Sequence, residues 1–340
     1  MKKLTLTFLI ILFTLTSNVV WSADYNKGWD AYDSGDYATA LREFKPLAEQ
    51  GDDDAQFYLG IMYDKGLGVP QDYMTAVKWY TLSAEQGDSA SQNNLGLIYE
   101  NGTGVLQDHK TALKWFRLAA EQGNANSQTS MGYMYKNGFG VIQNYKTAVK
   151  WYTLSAEQGD SDSQNNLGLM YEIGEGVPQD HKTAAKWFKL AAEQGDPESQ
   201  TSLGYLYENG FGVIQNYKTA VKWYRLAAEK TDSGQYNLGV MYDRGHGVPQ
   251  DYKTAVKWYT LAAEQGNMSA QFNLGVMYYY GQGVIKDNVY AHMWINISAS
   301  NGLESALNGR DVLEGEMTST DISVAQKLAR ECVTKNYKDC

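Results

Sequence analysis

One short stretch recurs along this chain and restricts its possible folds more than any other feature. Residues 151–159 read Trp-Tyr-Thr-Leu-Ser-Ala-Glu-Gln-Gly. Copies of this stretch begin at Trp79, Trp115, Trp187, Trp223 and Trp258, with a looser copy at Trp294. The tryptophans are 36 residues apart, except for one step of 35. Such a fixed period is typical of proteins built from stacked repeats. It predicts seven units, at residues 51–87, 88–123, 124–159, 160–195, 196–231, 232–266 and 267–302.

The first half of each unit has the pattern of a helix. In the first unit, Ala55, Leu59 and Tyr63 follow at intervals of four residues, and equivalent positions recur in the later units. This spacing places the three side chains on one stripe of a helix. The small residue, together with Gly60 beside Leu59, lets a neighbouring helix approach closely.

A loop with two glycines follows this helix. Gly66 suits the left-handed residue that ends a helix, Pro70 prevents the helix from continuing, and Asp72 suits the N-cap of the next helix. A Gly-x-Gly pair can also cradle a phosphate. That interpretation requires a preceding strand and a third Gly or a Lys, and the loop has neither. We therefore interpret the loop as a turn between two helices.

The second helix carries Ala76, Trp79, Tyr80 and Ala84 at helical spacing. Two interpretations of its aromatic pair are open: a binding box, or a core column between consecutive units. The core interpretation is favoured, because a single repeat cannot bury its own apolar face.

Three motifs together resemble one family. The patterns small-x3-Leu-Gly-x2-Tyr, Gly-x-Gly-Val-x-Gln-Asp and Ala-x2-Trp-Tyr-x2-Ala-Ala-Glu-Gln-Gly are similar to the Sel1-like repeat, a relative of the tetratricopeptide (TPR) repeat with a longer loop. The resemblance covers residues 51–302 and implies an all-α fold, a right-handed α-solenoid of stacked helix-turn-helix units. Residues 24–50 resemble a divergent TPR-like hairpin. In residues 303–340 we expect a capping helix, beginning at Ser319 or Thr320, and a tail.

The N-terminus has the features of a bacterial signal peptide. Lys2 and Lys3 precede an apolar run, and small residues follow at Ser22 and Ala23. We therefore expect residues 1–23 to be removed, and the protein to be periplasmic or secreted. In an oxidising compartment, Cys332 and Cys340 are expected to form a disulfide.

The charge of the chain limits its partners. The formal net charge is −10, and no run of Lys or Arg occurs. Nucleic acids and anionic membranes attract positive potential, so both are disfavoured as partners. No segment after residue 23 is long and apolar enough to insert stably in a membrane. We expect a monomer.

The sequence contains no recognisable catalytic or metal-binding motif. The four histidines, His109, His181, His246 and His292, have no ligand spacing, and no nucleophile elbow occurs. We therefore expect neither an enzyme nor a cofactor. The alternative is an enzyme that acts on β-lactams or on the cell wall. It comes from the resemblance, because some cysteine-rich Sel1-like proteins have been associated with β-lactam binding or hydrolysis. Those proteins carry a disulfide in each repeat, which this chain lacks.

Recognition is expected on the first helix of each unit. If these helices superpose on TPR geometry, the positions two before Leu and one after Tyr face a concave groove. The first row is Phe57, Asn93, Thr129, Asn165, Thr201, Tyr236 and Phe272. The second row is Asp64, Glu100, Lys136, Glu172, Glu208, Asp243 and Tyr279.

These rows lead to a functional hypothesis. Polar amides, a ladder of carboxylates and aromatic residues at both ends indicate a groove for an extended, basic or polar polypeptide. The alternative for any one position is a solvated helix face. The resemblance implies a scaffold or adaptor, with a role in envelope processes, host interaction or virulence.

Overall fold

The computed structural model describes residues 23–340. The expected signal peptide, residues 1–23, lies outside the described residues except for Ala23. The described chain is entirely helical and contains no strand. Its helices are α1 (Tyr25–Asp33), α2 (Tyr37–Glu49), α3 (Asp53–Lys65), α4 (Tyr73–Glu85), α5 (Ser89–Asn101), α6 (His109–Glu121), α7 (Ala125–Asn137), α8 (Tyr145–Glu157), α9 (Ser161–Ile173), α10 (His181–Glu193), α11 (Pro197–Asn209), α12 (Tyr217–Ala228), α13 (Asp232–Arg244), α14 (Tyr252–Ala263), α15 (Met268–Tyr280), α16 (Asn288–Ser300), α17 (Glu304–Glu316) and α18 (Ser319–Thr334).

The chain divides into two compact units, one ending at Leu106 and one from Gln107 to Cys340. We call α3, α5, α7, α9, α11, α13 and α15 the A helices, and α4, α6, α8, α10, α12, α14 and α16 the B helices. In the first unit, α1 packs on α2, and α3 packs on both α2 and α4. In the second unit, each B helix from α8 to α16 packs on the A helix before it, and the next A helix packs on that B helix. The expected all-α solenoid of repeated hairpins is confirmed.

The predicted helix ends are confirmed by the backbone. Gly66 follows α3 with φ of 70° and ψ of 35°, the left-handed conformation that glycine adopts without strain. Its N–H donates to the carbonyl of Met62. Asp72 caps α4, because its carboxylate accepts hydrogen bonds from the backbone N–H groups of Met74 and Thr75 at 3.0 and 3.2 Å. The Gly-x-Gly loop is thus a turn that joins two capped helices.

The two members of the aromatic pair on a B helix make different packing contacts. Phe188, the second member in α10, is fully buried. A Cβ on Gly168 would lie only 2.5 Å from this ring, so the glycine is what lets α9 approach α10. Trp187 is half-buried and packs against the core cluster around Tyr152 and Leu167, which belongs to the preceding interface. The pair is core, as expected, but its deepest member is the residue after the tryptophan.

A glutamine pair that the sequence did not reveal also joins consecutive repeats. Gln164 is buried in α9, and its side-chain amide donates to the carbonyl of Ala156 at the end of α8 at 3.1 Å. Its side-chain oxygen accepts a hydrogen bond from Gln194 at 2.8 Å. The same pairing links Gln128 to Gln158 at 2.7 Å. The A-helix glutamine therefore satisfies a carbonyl at the end of the preceding B helix, and the Gln of the Glu-Gln-Gly motif holds that glutamine in place.

The C-terminal region contains one helix more than the sequence indicates. Both α17 and α18 pack on α16. Helix α17 is not foreseeable, because its N-cap residue, Leu303, makes no side-chain capping bond and only Ala306 and Leu313 are buried. Helix α18 is the expected capping helix, with Thr318 as its N-cap. A disulfide joins Cys332 to Cys340, with a Cα–Cα distance of 5.4 Å.

Candidate partner-binding surface

All fourteen residues predicted to line a groove lie on A helices. Phe57, Asp64, Asn93 and Glu100 belong to the first unit, and the other ten belong to the second. Asn93 is buried, and the remaining thirteen side chains are half-buried. Neither row is therefore a fully solvated helix face, and both take part in packing.

The first row connects consecutive A helices of the second unit. The Thr129 hydroxyl lies 2.8 Å from the Ser163 hydroxyl on the next A helix. Asn165 accepts a hydrogen bond from the hydroxyl of Ser199 at 2.8 Å. Thr201 instead donates to the carbonyl of Pro197 on its own helix, at 3.0 Å. These polar groups already form hydrogen bonds within the repeats. Fewer of them are therefore available to contact a partner than the sequence indicated.

Aromatic members of the first row pack inward as well. The Phe57 ring centroid lies 6.2 Å from that of Tyr80, and the Tyr236 centroid lies 6.0 Å from that of Tyr259. Both tyrosine partners belong to the buried column of the B helices. Half-buried rings of this kind extend the core up to the A-helix surface.

The second row supplies acceptors to buried tyrosines. The Tyr224 hydroxyl donates to Glu208 at 2.8 Å, and the Tyr259 hydroxyl donates to Asp243 at 3.2 Å. Burial, reinforced by the neighbouring carboxylate, raises the pKa of both phenols. At neutral pH the carboxylates therefore accept from protonated tyrosines. The sequence indicates a surface role for these acids but not this second role.

Other repeats lack this pairing, and two of them show why. In the repeat at 124–159, Lys136 takes the place of the acidic residue, and the buried Tyr152 hydroxyl has no hydrogen-bond partner. Lys136 instead donates to Asn166 at 3.4 Å. In the repeat at 160–195, Phe188 takes the place of the tyrosine, so Glu172 has no phenol from which to accept a hydrogen bond. Burial raises the pKa of Glu172, and the nearby His181 opposes the shift.

An apolar opening in the second unit lies between α15 and α17. It is a cavity of about 350 Å³. Its lining includes Phe272, Val276, Tyr279, Tyr280, Val312 and Leu313. Tyr280 is 65% exposed and Val312 is 62% exposed, so apolar surface is presented to solvent. Phe272 and Tyr279 of the two predicted rows are thus brought together in one cavity.

Tyr279 is held in place at the mouth of this cavity. Its hydroxyl donates to the Glu316 carboxylate at 3.0 Å, and the Lys286 ammonium lies 5.3 Å from its ring centroid. Because α17 supplies Val312, Leu313 and Glu316, the helix that the sequence did not reveal forms one wall of the site.

The first unit has a separate and more polar cavity of about 360 Å³. Asp64 lies in its wall with Tyr80, Asn94 and Asn101. Lys65 pairs with Asp64 at 2.8 Å and offsets its charge. This cavity therefore offers amide and phenol groups rather than an apolar anchor point.

Two further properties bear on function. Across residues 23–340, no three His, Cys, Asp or Glu side chains are grouped so that they could hold a metal ion. In the same part of the chain, every helix is too short or too polar to cross a bilayer.

The fold is shared with solved structures of bacterial proteins. The crystal structure of a Sel1 repeat protein from Oxalobacter formigenes is 33% identical over 85% of this chain and 89% of that one, with a TM-score of 0.65. A protective antigen present in uropathogenic Escherichia coli strains, which displays an SLR fold, is 29% identical over 92% of both chains, with a TM-score of 0.55. No curated protein matches the chain.

The sequence itself matches one family model seven times. The Sel1 repeat model matches residues 53–88, 89–124, 125–160, 161–196, 197–232, 233–267 and 269–303. Sel1 repeats commonly mediate protein–protein interactions, and their scaffolds are generally not enzymes. With seven consecutive repeats that account for most of its length, the chain belongs to the Sel1 repeat family.

Proposed function

We propose that the protein is an exported scaffold whose second unit binds a polypeptide partner along its A helices. The observation that carries this proposal is the apolar cavity between α15 and α17, where Tyr280 and Val312 are exposed. Exposed apolar patches bordered by polar groups are typical of protein-interaction sites. An aliphatic or aromatic side chain of the partner would occupy the cavity as an anchor.

The charge on the A helices that precede the cavity along the chain indicates which residues accompany the anchor in the partner. Glu172, Glu208 and Asp243 lie on successive A helices, α9, α11 and α13. Within residues 23–340, none of these three carboxylates forms an ion pair. Complementary charge favours association and makes it sensitive to salt. The partner segment therefore carries Lys or Arg next to its apolar anchor.

A selection from random peptides tests this proposal. Peptides displayed on phage are selected on the purified protein and then measured by fluorescence polarisation. We expect the selected peptides to share an apolar anchor and at least one Lys or Arg. Glu172→Lys is expected to weaken their binding about tenfold, equivalent to about 1.4 kcal/mol. Lys136 occupies the equivalent position in another repeat, so the stack tolerates a lysine there.

The matched control is Glu157→Lys, which makes the same charge change at an exposed position at the end of α8. It should leave the affinity within a factor of about two. If both variants weaken binding equally, the effect is that of overall charge, and the proposed surface is wrong. Selected peptides without cationic residues would also contradict the proposal.

Export and an envelope or host-facing role are part of the same proposal. Residues 1–23 have the composition of a signal peptide, and the Cys332–Cys340 disulfide suits an oxidising compartment. The similar protein of uropathogenic E. coli is a protective antigen, which supports a host-facing location. The test is mass spectrometry of the protein from cell fractions. We expect a periplasmic or secreted chain that begins at Ala23 or Asp24, whereas a cytoplasmic chain that retains Lys2 and Lys3 would contradict export.

A further inference from the structure

Positive charge in the second unit is concentrated at the start of its B helices. The first ten positions of α6, α8, α10, α12 and α14, counted from each N-cap, contain thirteen Lys or Arg and three Asp. The whole chain, by contrast, has a net charge of −10. Ten exposed lysines form two rows, Lys110, Lys146, Lys182, Lys218 and Lys253, and Lys114, Lys150, Lys186, Lys222 and Lys257. Among the ion pairs within residues 23–340, none involves these ten.

Three isoleucines at loop tips of the second unit are almost fully exposed: Ile142 at 89%, Ile214 at 90% and Ile285 at 89%. Only Ile142 and Ile214 lie four residues before a lysine of the first row, Lys146 and Lys218 respectively. Single exposed apolar residues are common, but this pair shares both its exposure and the lysine that follows.

The loop that carries each isoleucine contacts the start of the preceding B helix. A Cβ on Gly140 would lie 2.9 Å from the backbone nitrogen of Lys110, so the loop lies directly on the first turn of the preceding B helix. The Phe139 ring stacks on His109 with 5.1 Å between centroids and fixes the loop there. The loop that carries Ile142 therefore runs from its contact at Lys110, at the start of α6, to the start of α8, where Lys146 lies. We call this line of loop tips and first-row lysines in the second unit the basic edge.

Carboxylates are missing from the loops that carry Ile142 and Ile214. Residues 137–146 and 209–218 contain no Asp or Glu, and their helices are capped by Asn144 and Asn216. In the intervening repeats the tip is a proline, Pro178 or Pro249, and the N-cap is an aspartate. Those aspartates are ionised, because hydrogen bonds from threonine lower their pKa. These two loops thus combine an exposed apolar side chain with a lysine and contain no carboxylate.

We propose that the basic edge docks on an anionic lipid surface. Lysines attract acidic headgroups over a distance set by the ionic strength, and apolar side chains at the tips enter the interfacial layer. A soluble polyanion would use the lysines but gain nothing from Ile142 and Ile214. An apolar protein partner would gain nothing from the lysine rows. Only a surface that is both anionic and apolar uses every part of the basic edge.

The net charge of the chain does not oppose this docking. Electrostatic attraction is screened beyond about 10 Å at moderate salt, so the side of the molecule that faces the membrane decides the interaction. The inference goes beyond the proposed scaffold function, because the basic edge lies on B helices and loops rather than on A helices. A protein docked in this way would keep its partner-binding surface available.

Co-sedimentation with vesicles tests the proposal. The full-length gene is expressed with its own residues 1–23, and the protein is purified in the form the cell produces. We expect binding to vesicles of about 30% phosphatidylglycerol in phosphatidylcholine, little binding to pure phosphatidylcholine, and loss of binding as salt is raised. Ile142→Asn combined with Ile214→Asn, and Lys146→Gln combined with Lys218→Gln, should each weaken binding at least tenfold.

Matched controls use equivalent or similarly exposed positions. Pro178→Asn with Pro249→Asn changes the tips of the intervening loops, and Lys335→Gln with Lys338→Gln removes the same charge near the C-terminus. Both pairs should leave binding within about twofold. Absence of wild-type binding, or equal binding to both kinds of vesicle, would overturn the proposal. Full binding by the isoleucine pair, with loss only in the lysine pair, would replace the lipid surface with a soluble polyanion.

Discussion

At the scale of single residues, near-identical repeats provide natural comparisons. The units at 124–159 and 196–231 differ at the position that holds Lys136 in one and Glu208 in the other. Glu208 accepts a hydrogen bond from the hydroxyl of the buried Tyr224, whereas the Tyr152 hydroxyl is buried without a hydrogen-bond partner. A buried donor without a hydrogen-bond partner lowers the stability of the folded state.

This difference predicts a stabilising substitution. Lys136→Glu supplies the missing acceptor, and we expect it to increase the free energy of unfolding by about 1 kcal/mol. Tyr152→Phe should slightly stabilise the wild-type background, because it removes the unsatisfied hydroxyl, but should destabilise the Lys136→Glu background, because it removes the new hydrogen bond. Urea denaturation of all four proteins measures the coupling between the two residues. Strictly additive effects would show that no new hydrogen bond has formed.

A second residue-scale prediction concerns pH. Burial raises the pKa of Glu172 above its ordinary value of 4.5. In the folded state the carboxyl therefore holds its proton more tightly, so its contribution is most favourable below pH 4.5 and is lost as pH rises through the folded pKa. Glu172→Gln should be more stable than wild type at about pH 7, with the difference shrinking toward about pH 4. Glu157→Gln, at an exposed position, is the control. A difference that grows on acidification would mean the opposite shift.

At the scale of helices, the sequence predicted what depends on neighbouring residues along the chain. Gly66 and Asp72 could be assigned because capping chemistry is local, and Gly60 because a helix must lie close to its partner. Helix α17 could not be found, since it has no side-chain cap and buries only Ala306 and Leu313. The sequence also did not predict that the two rows are half-buried, because this burial arises from contacts between residues in different repeats.

The aromatic pair of a B helix gives a prediction at this scale. Phe188 is fully buried between α9 and α10, whereas Trp187 is half-buried against the preceding core cluster. Phe188→Ala should cost roughly 3–5 kcal/mol, as for large core truncations. Trp187→Ala should cost less, although tryptophan has the larger side chain. Thermal and urea unfolding of the two variants provide the comparison, and a larger loss for Trp187→Ala would reverse our assignment of the core residue.

At the scale of the whole molecule, charge is sorted in a way that the linear sequence conceals. Lysines that are 36 residues apart do not form a cationic run, so the sequence indicated only an acidic protein. Folding brings them onto successive B helices, while the carboxylates Glu172, Glu208 and Asp243 lie on A helices. The anionic membrane that total charge disfavours becomes the proposed partner of one edge, once local charge is considered.

The residues that hold the repeats together differ from the residues proposed to bind a partner. The most repeated residues, such as Tyr152 and Gln164, are buried and hold the repeats together. The residues that differ between repeats supply the apolar cavity between α15 and α17 and the carboxylates on α9, α11 and α13. The central claim is therefore that a polypeptide partner contacts the A-helix side of the second unit at this cavity.

Photocrosslinking with a selected peptide tests that claim most directly. A photoreactive amino acid replaces Val312, which is exposed at the cavity, or Leu190, which is 45% exposed on the B helix α10. We predict that the peptide crosslinks to position 312 and that unlabelled peptide suppresses the adduct, while position 190 gives none. Crosslinking at position 190 without crosslinking at position 312 would contradict the claim.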